Sequence, residues 1–148
     1  MSANHDYKDL FKILNEEAVE YLVVGAHAVI FYAEPRYTKD LDIWVGVTPE
    51  NAKKLWKSLS KFGAPLKDVT IGDFTDKDLI YQIGIEPNRI DILMSIAGVE
   101  FEEAKKNRRE STYDGVKINI IGKQDLIKAK KASGRKQDIL DAERLESE

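Results

Sequence analysis

The chain contains no cysteine and only two histidines, and each shortage excludes a class of site. Without cysteine it can form neither a disulfide framework nor a thiolate metal centre, and a reducing compartment is the simplest setting for it. A dedicated histidine metal site needs several ligands, so we interpret His27 as a packing or hydrogen-bonding residue.

Long apolar runs are also missing. The longest, residues 21–33, includes His27 and is too short to span a bilayer. The first residues are polar and of mixed charge, whereas a secretory signal has a basic segment followed by an apolar one. We therefore expect a cytoplasmic protein without a membrane partner.

The composition is typical of one globular domain. The chain has 148 residues, of which 43% are hydrophobic and 33% charged, and we expect a single domain covering residues 1–148. The net charge of -3 conceals a basic segment, residues 105–136, with eleven Lys or Arg and three acids. Such a segment either contacts phosphate or RNA, or is a solvated helical surface.

Apolar periodicity and turn residues predict strands that alternate with helices. The predicted helices cover residues 7–16, 26–33, 49–62, 99–107, 123–132 and 135–145, and the predicted strands cover residues 21–24, 40–47, 79–85, 89–93 and 116–121. Asp6 is predicted to cap the first helix, Thr48 with Pro49 to begin the third, and Gly63 to end it. Turn residues predict two hairpins, one connected by residues 86–88 and one with Asp114 and Gly115 at its turn. The order favours an α+β fold, a mixed β-sheet flanked by helices and closed by C-terminal helices, over a regular parallel sheet.

Three aspartates interrupt the apolar strands. Asp40 and Asp42 are two residues apart on one predicted strand, so their side chains share a face while Leu41 points away. Asp91 lies within the apolar run IDIL of another strand. If the strands are neighbours, the three carboxylates converge on a site suited to Mg²⁺ or Mn²⁺. The alternative is that each Asp begins a strand or faces solvent.

A turn upstream has the chemistry for phosphate. Gly25 leads from a predicted strand into a helix, and helix N-termini present free N–H groups and a positive dipole end. The backbone N–H of Ala26, the next residue, is a second candidate donor.

These motifs together resemble the nucleotidyltransferase superfamily, which includes DNA polymerase β and kanamycin nucleotidyltransferase. The run VGAHAVIFYAEPRYTKDLDIWV, followed by RIDIL, is similar to its glycine turn, its pair of acids and its third acid. Tyr32, Arg36 and Thr38 resemble more closely the first motif of the abortive-infection nucleotidyltransferase toxins. The ending DLIKAKKASGRKQDILDAERL is similar to the closing helices of that subgroup.

The resemblance implies Mg²⁺- or Mn²⁺-dependent transfer of a nucleoside monophosphate, from a triphosphate such as ATP, to a hydroxyl on RNA, protein or a small molecule. It implies that Asp40 and Asp42 hold the metal ions, and that Asp91 binds one of them and helps to deprotonate the acceptor.

Cationic and polar side chains are candidates for binding the triphosphate. Arg36 either contacts a phosphate bidentately or pairs with Glu34, and Thr38 belongs to the same run. Lys128 and Lys131 are three residues apart on one helical face, so either can reach phosphate.

Other functions stay open. Ala26 stands where the superfamily has a second Gly or Ser, which favours a catalytically impaired nucleotide-binding or regulatory module, such as a toxin–antitoxin component. A two-metal nuclease would use the same carboxylates. The chain is shorter than the abortive-infection toxins, so either a partner protein or a second copy completes the site, or the acceptor is small.

Overall fold

The computed structural model describes residues 4–33, 40–84 and 88–147. Its strands are β1 (Tyr21–Val24), β2 (Leu41–Val45), β3 (Ile80–Ile83), β4 (Ile90–Leu93), β5 (Arg109–Tyr113) and β6 (Val116–Ile120). Its α-helices are α1 (His5–Glu16), α2 (Gly25–Tyr32), α3 (Pro49–Phe62), α4 (Phe101–Lys106), α5 (Lys123–Ser133) and α6 (Lys136–Ser147), and a 3₁₀ helix covers Ile71–Thr75.

The strands of the described residues form a mixed sheet in the order β3-β4-β2-β1-β6-β5. β2 pairs with β4, and β1 with β6, in parallel, whereas the other neighbouring pairs are antiparallel. Helices cover this sheet, so the predicted α+β fold is confirmed. None of the described helices is long and apolar enough to cross a membrane.

The core lies between the sheet and the helices packed on it. α1 buries Leu10 and Leu14 completely, and α3 does the same with Leu55 and Leu59. Burying such side chains supplies the main driving force for folding, at about 1.5–3 kcal/mol each. β1 and β2 lie at the centre of the sheet and run through the middle of this core.

Local capping residues explain where the helices begin and end. Thr48 accepts a hydrogen bond from the Asn51 amide at the start of α3, and Gly63 ends that helix in the left-handed conformation, as predicted. The predicted cap of α1 is wrong by two residues, because the Asn4 side chain accepts from the amides of the first turn. Asp6 lies within that turn, where its charge suits the helix dipole.

Two hairpins confirm the turn predictions. Asp114 and Gly115 connect β5 to β6 with positive φ angles. β3 and β4 pair antiparallel, as expected from the Pro-containing connection between them. Of that connection, residues 85–87 lie outside the described residues.

Candidate active site

Asp42 and Asp91 form the centre of the site. β2 and β4 run parallel with these two residues directly opposite each other, which places both side chains on one face of the sheet. Burial, together with the charge of Asp91, raises the pKa of Asp42 to about 7. The ionised form of Asp42 is therefore less stable here than it would be in water.

Arg89 is a site residue that the sequence analysis did not identify. Its Nε lies 2.9 Å from Asp91 Oδ1, and its Nη2 lies 3.2 Å from Asp91 Oδ2. The same Nη2 is 3.2 Å from Oδ2 of Asp40, which precedes β2. The signal was available, because Arg89 is two residues before Asp91 and alternate residues of an extended chain share a face.

The three aspartates do not form one metal-ligand cluster in this structure. Within residues 4–33, 40–84 and 88–147, no three His, Asp or Glu side chains are grouped to hold a metal ion. The guanidinium of Arg89 contacts both Asp40 and Asp91. The Asp42–Asp91 pair nevertheless fits a divalent cation, because it offers hard oxygen donors and because burial, together with the charge of Asp91, raises the pKa of Asp42.

Gly25 brings the start of α2 against Asp42. Its φ is +68°, and a Cβ there would lie 2.2 Å from Asp42 Oδ2, so only glycine fits. The N-cap residue, Val24, makes no side-chain capping hydrogen bond, which leaves the first-turn N–H groups of Gly25 and Ala26 without that partner. A phosphate beside Asp42 would meet these donors and the positive end of the helix dipole.

A cavity of about 420 Å³ opens next to this turn. Val24, Gly25 and Asp42 line one side of it, and Lys130 and Arg135 line the side formed by the two closing helices. Its volume lies within the range of small-molecule sites. Asp42, the start of α2 and two cations therefore share one space, and Asp91 lies beside Asp42 on the neighbouring strand.

Lys130 is the lysine of α5 that faces this cavity. Its side chain is 12% exposed, and its Nζ lies 3.0 Å from Asp138 Oδ1 and 3.4 Å from Asp141 Oδ2. It points inward because it is three and four residues beyond the buried Ile127 and Leu126, on the same helical face. The inward face of α5 becomes clear once Leu126 and Ile127 are seen to be buried.

The predicted phosphate-binding lysines lie elsewhere. Neither Lys128 nor Lys131 lines the cavity, and Lys131 forms an ion pair with Glu146 of α6 at 3.0 Å. The role of Lys128 and Lys131 in binding phosphate stays a prediction. Arg36 and Thr38 lie outside the described residues.

Arg135 and Asp138 tie α5 to α6 at the edge of the cavity. Arg135 Nε lies 3.0 Å from Asp138 Oδ2, and the Ser133 hydroxyl donates to the same oxygen at 2.5 Å. Burial opposes ionisation of Asp138, but hydrogen bonds from Ser133, Lys130 and Arg135 outweigh it and lower its pKa. The carboxylate is therefore a fixed anion that orients Lys130.

Acids accompany much of the basic segment, residues 105–136. Lys105 pairs with Glu20 and Glu102, and Lys117 pairs with Glu110. Together with the ion pairs of Lys130, Lys131 and Arg135, these contacts neutralise much of the positive charge of the segment. They favour the interpretation as a solvated helical surface over an RNA-binding surface.

Comparison with solved structures identifies the fold. The candidate nucleotidyltransferase TM1012 of Thermotoga maritima superimposes with a TM-score of 0.61 at 18% identity, over 95% of this chain and 88% of that one. Lincosamide antibiotic adenylyltransferase LnuA, with lincomycin bound, gives 0.56 at 16% identity over 99% of both chains. No family model matches the chain, and no curated protein matches it in sequence.

The molecule is thus a nucleotidyltransferase-fold protein, and the predicted resemblance to that superfamily is confirmed at the level of the fold. Identities below 20% show the fold alone, so the abortive-infection subgroup stays a prediction.

Proposed function

We propose that the protein transfers a nucleoside monophosphate from a triphosphate to a hydroxyl acceptor, with Mg²⁺ or Mn²⁺ as cofactor. The observation that carries this proposal is the Asp42–Asp91 carboxyl pair, of which Asp42 adjoins the Gly25 turn and lines the same cavity as Lys130. Carboxylates, a helix N-terminus and a lysine are the groups needed to bind a metal triphosphate. LnuA shows that this fold can act as an adenylyltransferase.

Asp42 and Asp91 would hold the metal ion, and Asp40 would join them once the guanidinium of Arg89 no longer pairs with it. An ion bound there supplies charge neutralisation for the triphosphate and makes an acceptor hydroxyl more acidic.

The other groups position the substrate. The first-turn N–H groups of Gly25 and Ala26 donate to phosphate oxygens, and the ammonium of Lys130 stabilises their charge. The acceptor oxygen bonds to the α-phosphorus while the bond to pyrophosphate breaks. The acceptor's proton passes to Asp91, and pyrophosphate leaves the cavity.

The structural similarity to LnuA favours a small acceptor. The two chains cover 99% of each other, and the name of LnuA gives a lincosamide antibiotic as its substrate. RNA and protein acceptors, which the toxin resemblance implied, are the alternatives that the assay must separate.

A second candidate function is a nucleotide-binding module without transfer activity. Two observations favour it. Ala26 offers no hydroxyl at the phosphate turn, and Arg89 pairs with Asp40 and Asp91, which catalysis would need as ligands.

Transfer of label from each α-³²P-labelled nucleoside triphosphate decides between the two functions. The purified protein is incubated with Mg²⁺ or Mn²⁺ and a cell extract fractionated into RNA, protein and small molecules. The Asp42→Asn and Asp91→Asn variants test the acids, and Asp68→Asn, at an exposed position, is the matched control.

Label on an acceptor that requires Asp42 and Asp91, but not Asp68, supports transfer and shows the acceptor class. Metal-dependent triphosphate binding without any labelled acceptor supports the binding module. Cleavage of added RNA or DNA without pyrophosphate release would instead indicate a nuclease.

A further inference from the structure

Arg89 holds two of the three carboxylates that a metal would need. We propose that Arg89 is an internal counter-ion that competes with the divalent cation for Asp91 and Asp40, so that metal binding requires its guanidinium to withdraw. This inference rests on the metal site of the proposed function. It assigns Arg89 a positioning role.

The geometry makes the guanidinium a competitor. Its Nε and Nη2 contact both oxygens of Asp91, at 2.9 and 3.2 Å, in the bidentate arrangement that Arg and carboxylates favour. Nη2 also lies 3.2 Å from Asp40 Oδ2. A divalent cation on the same oxygens would be a few ångströms from a permanent positive charge, and the two would repel strongly in a partly buried site.

The side chain of Arg89 can move without disturbing the strand. Its backbone oxygen accepts hydrogen bonds from the Leu41 amide at 3.0 Å and from the Tyr7 hydroxyl at 3.4 Å, which fixes the main chain beside β2. The side chain of Arg89 is 28% exposed, whereas that of Asp91 is 12% exposed. Rotation of the side chain toward solvent therefore releases Asp91 while that carboxylate stays opposite Asp42.

The ion pair also has a role when no metal is bound. Three carboxylates gathered at adjacent strand ends repel each other, and Arg89 offsets that repulsion at Asp40 and Asp91. The consequence is a trade-off: the same guanidinium that stabilises the metal-free fold weakens metal binding. A merely structural arginine would stabilise the fold without lowering the affinity for metal.

The test is the dissociation constant of Mn²⁺ alone, measured from the electron paramagnetic resonance signal of the free ion. We expect Arg89→Met to bind Mn²⁺ about tenfold more tightly than the unmodified protein, because a repelling charge is gone and Asp91 is released. Arg108→Met removes the same charge from an exposed side chain that donates to the Lys105 carbonyl. This matched control should leave the Mn²⁺ affinity unchanged.

Thermal unfolding supplies the second readout. Without metal, Arg89→Met should melt at a lower temperature than the unmodified protein, and saturating Mn²⁺ should raise its melting temperature by more. Arg89→Lys keeps the charge without the planar fork, so its Mn²⁺ affinity should fall between the two.

Equal or weaker Mn²⁺ binding by folded Arg89→Met would overturn the inference. A separate result would overturn the metal site itself: Mn²⁺ binding by the unmodified protein that survives both Asp42→Asn and Asp91→Asn, or no binding by any variant. Mn²⁺ binding that requires Asp42 and Asp91 but is unchanged in Arg89→Met would leave the proposed function supported and would overturn only the competition by Arg89.

Discussion

Asp42 and Asp91 lie opposite each other on the parallel strands β2 and β4, and burial together with the charge of Asp91 raises the pKa of Asp42. Two buried carboxyl groups on neighbouring strands do not both ionise easily, so the free energy of unfolding depends on pH. A divalent cation bound to the pair would offset the repulsion between the two carboxylates, and this is why the pair suits a metal ion.

The first prediction concerns pH and stability in the absence of metal. The pKa of Asp42 is raised to about 7 in the folded state, whereas the unfolded chain has the ordinary value near 3.8. The folded state therefore holds a proton that the unfolded state has lost, and the free energy of unfolding falls as pH rises through that window.

Replacement of Asp42 by Asn removes this titration. In a chelator, the melting temperature of Asp42→Asn should exceed that of the unmodified protein by more at about pH 8 than at about pH 5, with Asp68→Asn showing no such change. The difference should correspond to a few kcal/mol at most. An equal gap at both pH values would contradict the raised pKa.

The second prediction concerns the contact between Gly25 and Asp42. Gly25→Ala places a Cβ 2.2 Å from Asp42 Oδ2 and also forces Ala into a left-handed conformation. Gly63→Ala introduces similar backbone strain, at φ +90°, with no atom within 4 Å of its Cβ.

Gly63→Ala should cost about 1 kcal/mol by chemical denaturation, and Gly25→Ala clearly more, because the carboxylate must also move. Only Gly25→Ala should weaken binding of a metal triphosphate. Equal losses of stability in the two variants would show that the close approach of the new Cβ to Asp42 does not destabilise the fold.

The third prediction distinguishes three of the four lysines of α5, namely Lys128, Lys130 and Lys131. Lys130→Met should weaken binding of a fluorescent ATP analogue by about tenfold or more, since the only one of the three lysines lining the cavity is lost. Lys128→Met and Lys131→Met should bind the analogue nearly as the unmodified protein does.

Lys130→Met also removes a partner of Asp138 and Asp141, so its fold must be checked by circular dichroism before affinities are compared. A larger loss of affinity in Lys128→Met or Lys131→Met would restore the interpretation based on the sequence.

The fourth prediction concerns the anchor of the strands that carry the site. Asn51 is 2% exposed, and its side chain bonds to the amide of Glu20 at 2.8 Å and to the carbonyl of Gly46 at 2.8 Å. Asn51→Ala leaves these backbone groups without partners and should lower the free energy of unfolding by about 2–3 kcal/mol.

Ser58→Ala is the matched control in the same helix. The buried Ser58 hydroxyl bonds only to the Lys54 carbonyl one turn earlier, so its loss should cost less than about 1 kcal/mol. Similar losses in the two variants would contradict an anchoring role for Asn51.

Local signals in the sequence predicted much of the fold and half of the site. The Thr48 cap and the Gly63 stop depend on neighbouring residues, and both predictions are confirmed. The two-residue spacing of Asp40 and Asp42 places them on one face by strand geometry alone. The sequence did not show which lysine of α5 points inward. Three lysines lie within four positions, and the inward face is clear only once Leu126 and Ile127 are seen to be buried.

The sequence by itself determined the elements, the acid-bearing strands and the glycine turn, since each follows from contacts within a few residues. Only the tertiary structure decided that β2 and β4 are parallel neighbours in a register that joins Asp42 to Asp91, and that Lys130 faces them. It also placed Arg89 between Asp40 and Asp91. These relationships arise from packing between distant segments, where burial and charge, not local conformational preference, select the arrangement.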